Sequence, residues 1–120
     1  MNERKNTGNA GEQAVAVYLL RQGYQLAERQ FRCRFGEIDL IVWSPEGILC
    51  FVEVKTRAGT SFARAREAVT PAKQQKLRVT AEYYLMQHQL DCLCRFDVAE
   101  VYPGSDGYAQ ARIEYIINAF

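Results

Sequence analysis

The stretch "GEIDLIVWSPEGILCFVEVKTR", from Gly36 to Arg57, decides the fold. "IDLIVW" and "ILCFVEVKT" each read as a strand, apolar and rich in β-branched residues. Between them "SPEG" places proline second and glycine fourth in a four-residue turn, a type I pattern. Strands joined this closely pair most simply as an antiparallel hairpin. Ile48 to Val52 is apolar on both faces, which predicts a central strand covered on each side. Yet the stretch also carries Glu37, Asp39, Glu53 and Lys55. Charges rarely lie beside a core without a partner or a task.

Upstream, "GNAGEQAVAVYLLRQGY" predicts an amphipathic helix with Ala10, Ala14, Val17, Tyr18 and Arg21 along one face. Gly23 follows its last turn, where a left-handed cap suits glycine. Tyr24 to Arg34 alternates loosely and predicts a strand. Downstream, "RAGTSFARAREAV" predicts a loop with a short helical end. "TPAKQQKLRVTAEYYLMQHQL" predicts a helix with Thr70 as N-cap and Pro71 in its first position. Leu77, Ala81, Tyr84, Leu85 and His88 mark its face. His88 is the sole histidine and reads as a core-edge residue, since no second histidine supports a ligand role. "CLCRFDVAEVY" is a fourth strand, "PGSDG" a turn and "YAQARIEYIINAF" a last strand. Helix, three strands, helix, two strands fits an α/β mixed sheet flanked by helices.

A chain of 120 residues suits one domain, and 48% apolar content argues against disorder. Fifteen basic residues against fourteen acidic ones exert no global pull on a polyanion, so any such site needs local charge segregation. No apolar run is long enough to span a membrane, and the opening residues lack the apolar stretch of a secretory signal. Cys92 and Cys94 form a C-x-C without the partners of a zinc site, and Cys50 reads as a small core residue. Reduced, structural thiols place the chain in the cytoplasm as an expectation.

Strand alternation puts Phe51, Glu53 and Lys55 on one face, with Val52 and Val54 on the other. On the partner strand, Asp39 shares a face with Glu37 and Ile41. The hairpin can bring Asp39 near Glu53. Two carboxylates about 4 Å apart repel by roughly 4 kcal/mol at an effective dielectric near 20. A shared proton, Lys55 alone or a divalent cation would offset that repulsion. Mg²⁺ takes oxygen ligands from one or two carboxylates, with waters and phosphate oxygens completing its shell. A lysine facing the same way can orient a nucleophile or stabilise developing charge. Asp, then Glu-x-Lys, is therefore a complete kit for metal-assisted phosphodiester hydrolysis. The residues equally allow a plain reading, in which Glu53 and Lys55 form an ion pair and Asp39 ends a strand.

From Lys55 to Arg78 there are seven basic residues (Lys55, Arg57, Arg64, Arg66, Lys73, Lys76 and Arg78) against Glu67, a local net charge of +6. Lys73 falls in the first turn of its helix, where a cation opposes the macrodipole unless a phosphate lies near. Arg29, Arg32 and Arg34 interleave with Phe31 and Phe35, as on surfaces that combine stacking with phosphate contact. The same pattern also suits a half-buried strand with its arginines in water.

"GEIDLI", then "FVEVKTR", then a helix opening with lysine and closing with "AEYYL", then "RFDV", resembles the YraN-like family of small bacterial proteins. That family is similar to Holliday junction resolvases of the restriction-endonuclease-like superfamily. The match runs from "GNAGEQAVAVYLL" to "RFDVAEV". The resemblance implies a single nuclease-like domain over 1–120, with a restriction-endonuclease-like central mixed sheet and one active site. By position, Asp39 and Glu53 would be metal ligands, Val54 would offer its carbonyl, and Lys55 would be the catalytic lysine. Glu12 matches an acid that resolvase-like enzymes bring to the same site, and Lys73 a lysine near DNA or the scissile phosphate. Glu37 and Arg57 fit the family pattern. Two positions depart from it: Gln30 stands where asparagine is frequent, and Ala63 where glycine is frequent.

The expectation is a Mg²⁺- or Mn²⁺-dependent endonuclease on branched DNA, with Asp39, Glu53, Lys55 and Glu12 in the chemistry. Arg34, Arg57, Lys73 and Lys76 would contact DNA. A homodimer would match a two-fold junction. The alternatives are a nuclease-like module that binds nucleic acid without cutting it, and a purely structural role for the charged cluster.

Overall fold

The computed structural model describes residues 3–57 and 69–120. Helix α1 (Glu3–Arg21) leads into strands β1 (Gln25–Cys33), β2 (Gly36–Trp43) and β3 (Leu49–Thr56). Helix α2 (Pro71–Gln87) is followed by β4 (Cys94–Gly104) and β5 (Gly107–Ile116). The predicted order of elements holds throughout. The loop with a short helical end, together with Arg64, Arg66, Glu67 and Ala63, lies mostly outside the described residues.

The strands form one sheet in the order β1-β2-β3-β4-β5. All neighbours are antiparallel except β3 and β4, which run parallel from Leu49 beside Cys94 to Thr56 beside Val101. A parallel pair needs a long crossover, and the segment containing α2 supplies it. The fold is α/β, a mixed five-stranded sheet between two helices, consistent with a restriction-endonuclease-like fold. Among the described residues no helix is long and apolar enough to cross a membrane.

The central position of β3 explains its two-sided apolar run. On one side Phe51 joins Phe31, Ile41, Leu77 and Tyr84 under α2. On the other, Cys50 and Val52 join Val15, Leu19 and Leu40 under α1. The "SPEG" turn closes as predicted, with Gly47 N–H donating to the Ser44 carbonyl at 2.9 Å. At α2 the Thr70 hydroxyl accepts from the Lys73 N–H, and Pro71 opens the helix. His88 caps the end of α2, exposed and packed against the Tyr84 ring. All four cysteines are free thiols.

Three expectations need adjustment. Helix α1 begins five residues before Gly8. Its buried stripe is also not the one chosen on apolar content: Gly11, Glu12, Val15, Ala16 and Leu19 are buried, while Arg21 is exposed. Ala10, Ala14, Val17 and Tyr18 are half-buried and line an open groove shared with Tyr108, Ala111 and Ile113 of β5. Finally, β4 runs through Pro103 and Gly104 with a register shift after Tyr102, so the turn to β5 is confined to Ser105 and Asp106.

Gly11 lies against the end of β3. A Cβ there would stand 2.6 Å from the Thr56 hydroxyl oxygen, so glycine leaves room for that side chain.

Candidate active site

The β2–β3 ladder runs from Trp43 opposite Leu49 to Leu40 opposite Val52. At the next rung a side chain replaces a backbone carbonyl. The Asp39 carboxylate accepts the Val54 N–H at 2.8 Å. Alternation in β2 breaks at the same place. Ile38 and Ile41 lie in the core under α2, whereas Leu40 lies in the core under α1. Strict alternation would put Ile38 beside Leu40. Burying both on opposite sides turns the strand at Asp39 and aims its carboxylate at β3.

Strand β1 breaks at the matching point. Arg29 pairs with Leu40 and Phe31 with Ile38. Gln30, between them, has φ +51°. A non-glycine residue in that region costs on the order of 1 kcal/mol. The Gln30 amide donates to both Glu12 carboxylate oxygens, at 3.1 and 3.3 Å, and Arg29 donates to Gln13. Two neighbouring residues of β1 thus both reach α1, which regular alternation forbids.

Glu53 and Lys55 share a face, as predicted, and that face is the one under α2. Lys55 Nζ lies 3.5 Å from Glu53 Oε1, and Lys73 Nζ lies 2.8 Å from the same oxygen. Glu53 is only 8% exposed, so both ammonium groups serve a largely buried carboxylate. Burial, and then repulsion from Glu53, raise the Asp39 pKa from 3.8 to about 7, against the stabilising Val54 N–H. Repulsion from Glu12 adds to the rise. Burial also raises Glu12, with the Gln30 amide offsetting part of the effect.

The two lysines are driven apart. Burial, and then Lys73, pull Lys55 below the ordinary ammonium value. Burial opposes the charge of Lys73 as well, but Glu53 and Lys55 outweigh it and hold Lys73 above that value. The site therefore sets two neighbouring ammonium groups in unequal surroundings, the charge of Lys55 disfavoured and that of Lys73 favoured.

Asp39, Glu53 and the Val54 carbonyl are hard oxygen donors of the kind Mg²⁺ and Mn²⁺ accept, with waters filling the remaining positions. Among the described residues no three His, Cys, Asp or Glu side chains converge to hold an ion by themselves. Two carboxylates and a carbonyl could hold such an ion, and Glu12 of α1 is near enough for its charge to act on Asp39.

The other expected residues are dispersed. Glu37 forms an exposed ion pair with Arg32 at 3.0 Å, and its charge also bears on Glu12 and Asp39. Arg57 turns inward onto Glu100 at 3.3 Å, and its Nη2 is buried without a hydrogen-bond partner among the described residues. Arg78 stacks over Phe96. Lys76 is exposed on α2, and Arg34 is exposed in the β1–β2 turn over the Phe35 ring. Phe31 belongs to the core and offers no stacking surface. Among the described residues of the basic run, Lys55, Arg57, Lys73 and Arg78 each have an internal contact, and Lys76 is exposed.

A family model described as "Uncharacterised protein family UPF0102" matches residues 11–101, which includes every residue of this cluster. The chain belongs to UPF0102. This is the YraN-like family of the sequence resemblance. A UPF0102 protein of Symbiobacterium thermophilum is 48% identical over 97% of each chain. One from Desulforamulus reducens is 41% identical over 98% of this chain and 97% of its own. A Synechococcus UPF0102 protein is 45% identical, covering 97% and 92% respectively.

Proposed function

We propose that this UPF0102 protein is a divalent-metal-dependent endonuclease that hydrolyses phosphodiester bonds in DNA, with branched DNA such as a Holliday junction as its substrate. The observation that carries the reading is the rung at Asp39. A carboxylate is spent on the Val54 N–H, beside Glu53, in a place where its charge is disfavoured enough to raise its pKa to about 7. Structural carboxylates are ordinarily given donors, and a buried acid pushed up by another acid marks a candidate functional site.

Asp39, Glu53 and the Val54 carbonyl would hold Mg²⁺ or Mn²⁺, with Glu12 as a further acid at the site. When bound, the ion supplies Lewis acidity and neutralises charge at the phosphate. Lys55, on the same face as Glu53, orients the attacking water. Lys73 stays cationic and stabilises charge on the phosphate. Lys76 and Arg34 are exposed for backbone contact, whereas Arg57 is turned onto Glu100. Symmetric cutting of a four-way junction calls for two such sites in a homodimer.

The deciding experiment incubates purified protein with Mn²⁺ and a panel of junction, flap, nicked and linear DNAs. The expected result is cleavage of branched DNA that is lost in Asp39→Asn, Glu53→Gln and Lys55→Ala while junction binding survives. Full cleavage by Asp39→Asn would reject the assignment. One observation favours the rival reading, a module that binds DNA without cutting it: Lys73 already neutralises Glu53 at 2.8 Å. That rival predicts unchanged DNA affinity in all three variants and no cleavage of any substrate by the wild type.

A further inference from the structure

Gln30 combines three features that rarely coincide. It occupies a left-handed conformation with φ +51°, in the middle of a strand and with a long side chain. It lies between the rungs that flank Asp39, where β2 also turns. Its amide donates to both oxygens of Glu12, which is 6% exposed.

Regular alternation would send the Gln30 side chain away from Arg29. The left-handed kink sends both toward α1, Arg29 to Gln13 and Gln30 to Glu12. Backbone strain of this type persists only where the surroundings enforce it, and it clusters where geometry is used. Without the amide, Glu12 would face Asp39 with one fewer donor to fix its direction, and like charges would turn it aside.

We propose that Gln30 is the positioning residue for Glu12: the kink in β1 exists to deliver an amide that holds the Glu12 carboxylate toward the Asp39–Glu53 cluster. The proposal rests on the reading of that cluster as a metal site with Glu12 as a contributing acid.

The test separates the kink from the amide. Gln30→Gly removes the amide and relieves the left-handed backbone. Gln30→Met keeps the side-chain length and the strain but cannot donate. Gln30→Asn keeps an amide on a residue that tolerates the conformation. Each variant, with Glu12→Gln and Asp39→Asn, is titrated with Mn²⁺ by calorimetry and melted. The expected result is about tenfold weaker Mn²⁺ binding in Gln30→Gly and Gln30→Met, the size typical of lost support behind a ligand. Gln30→Gly should melt no lower than the wild type, so stability and affinity move independently. Gln30→Asn should stay within a few-fold of the wild-type affinity. Wild-type affinity in both Gln30→Gly and Gln30→Met, while Glu12→Gln is weakened, overturns the positioning role and leaves the metal site standing. Wild-type affinity in Glu12→Gln removes Glu12 from the site and this proposal with it. If the wild type binds no Mn²⁺, or Asp39→Asn binds it equally well, the site itself is wrong and both readings fall.

Discussion

Asp97 on β4 and Asp39 on β2 flank the central strand of one sheet, and their surroundings could hardly differ more. Asp97 is fully buried and receives Arg95 Nε on both oxygens, at 3.0 and 3.1 Å. The Tyr115 hydroxyl and the Asn118 N–H complete its donors. Arg95 continues the network to the Tyr24 hydroxyl, joining the α1–β1 connection, β4, β5 and the C-terminal residues. Asp39 has one backbone donor and three acids, Glu53, Glu12 and Glu37, whose charges repel it. The first carboxylate is saturated with partners and ties elements together. The second is left in want of positive charge, and what it lacks is what a cation would supply.

The sharpest way to break this contrast is to truncate the saturated one. Asp97→Ala strands the buried Arg95 guanidinium and should cost about 3–5 kcal/mol, read from urea unfolding. A loss below about 1 kcal/mol would make the two aspartates alike. Next, Asp39→Asn should lower cleavage of branched DNA by about two orders of magnitude or more while the protein stays folded. Equal losses of fold in both variants would erase the distinction.

The pH dependence of stability sharpens it further. In the folded chain the Asp39 pKa is raised to about 7, against an ordinary aspartate value of 3.8. Between those values the folded state binds the extra proton, so this group contributes stability that declines as pH rises through the window. Asp39→Asn should remove that decline. Subtracting its stability profile from that of the wild type should expose a change of about 2 kcal/mol between pH 4 and 7, allowing for partial solvent screening. A flat difference would mean that burial and Glu53 do not press on Asp39 as described. The smallest effect concerns Lys73. Lys73→Met removes a cation that competes for Glu53, so Mn²⁺ binding should tighten by about threefold at low salt. Lys76→Met, exposed on the same helix, should leave it unchanged.

Sequence patterns reach some of these features and miss others for physical reasons. The β2–β3 hairpin was legible because two-residue periodicity and a proline–glycine turn are local signals. Asp39, Glu53 and Lys55 stood out because they interrupt apolar runs. Glu12 did not, since choosing the buried face of α1 by apolar content favours Ala10, Ala14 and Val17 over a stripe that contains a carboxylate. Its signal was the spacing of Glu12, Ala16 and Leu19, read without excluding the charged residue. Gln30 gave no local hint at all: nothing in "ERQFR" marks a left-handed residue. The kink coincides with the burial of Phe31 and Ile38 on one side and Leu40 on the other, an arrangement visible only in the tertiary structure. The Lys73–Glu53 contact spans twenty residues and depends on how α2 crosses the sheet. The same crossing accounts for the scattering of the basic run into internal contacts.

The absent side chain at Gly11 has a consequence for reach. A methyl group there would stand 2.6 Å from the Thr56 hydroxyl oxygen, so an added side chain must first displace that hydroxyl at the end of β3. Glu12, the very next residue, sits directly beside this contact. An alanine at 11 would act as a wedge, disturbing the setting of an acid whose own chemistry had not been touched.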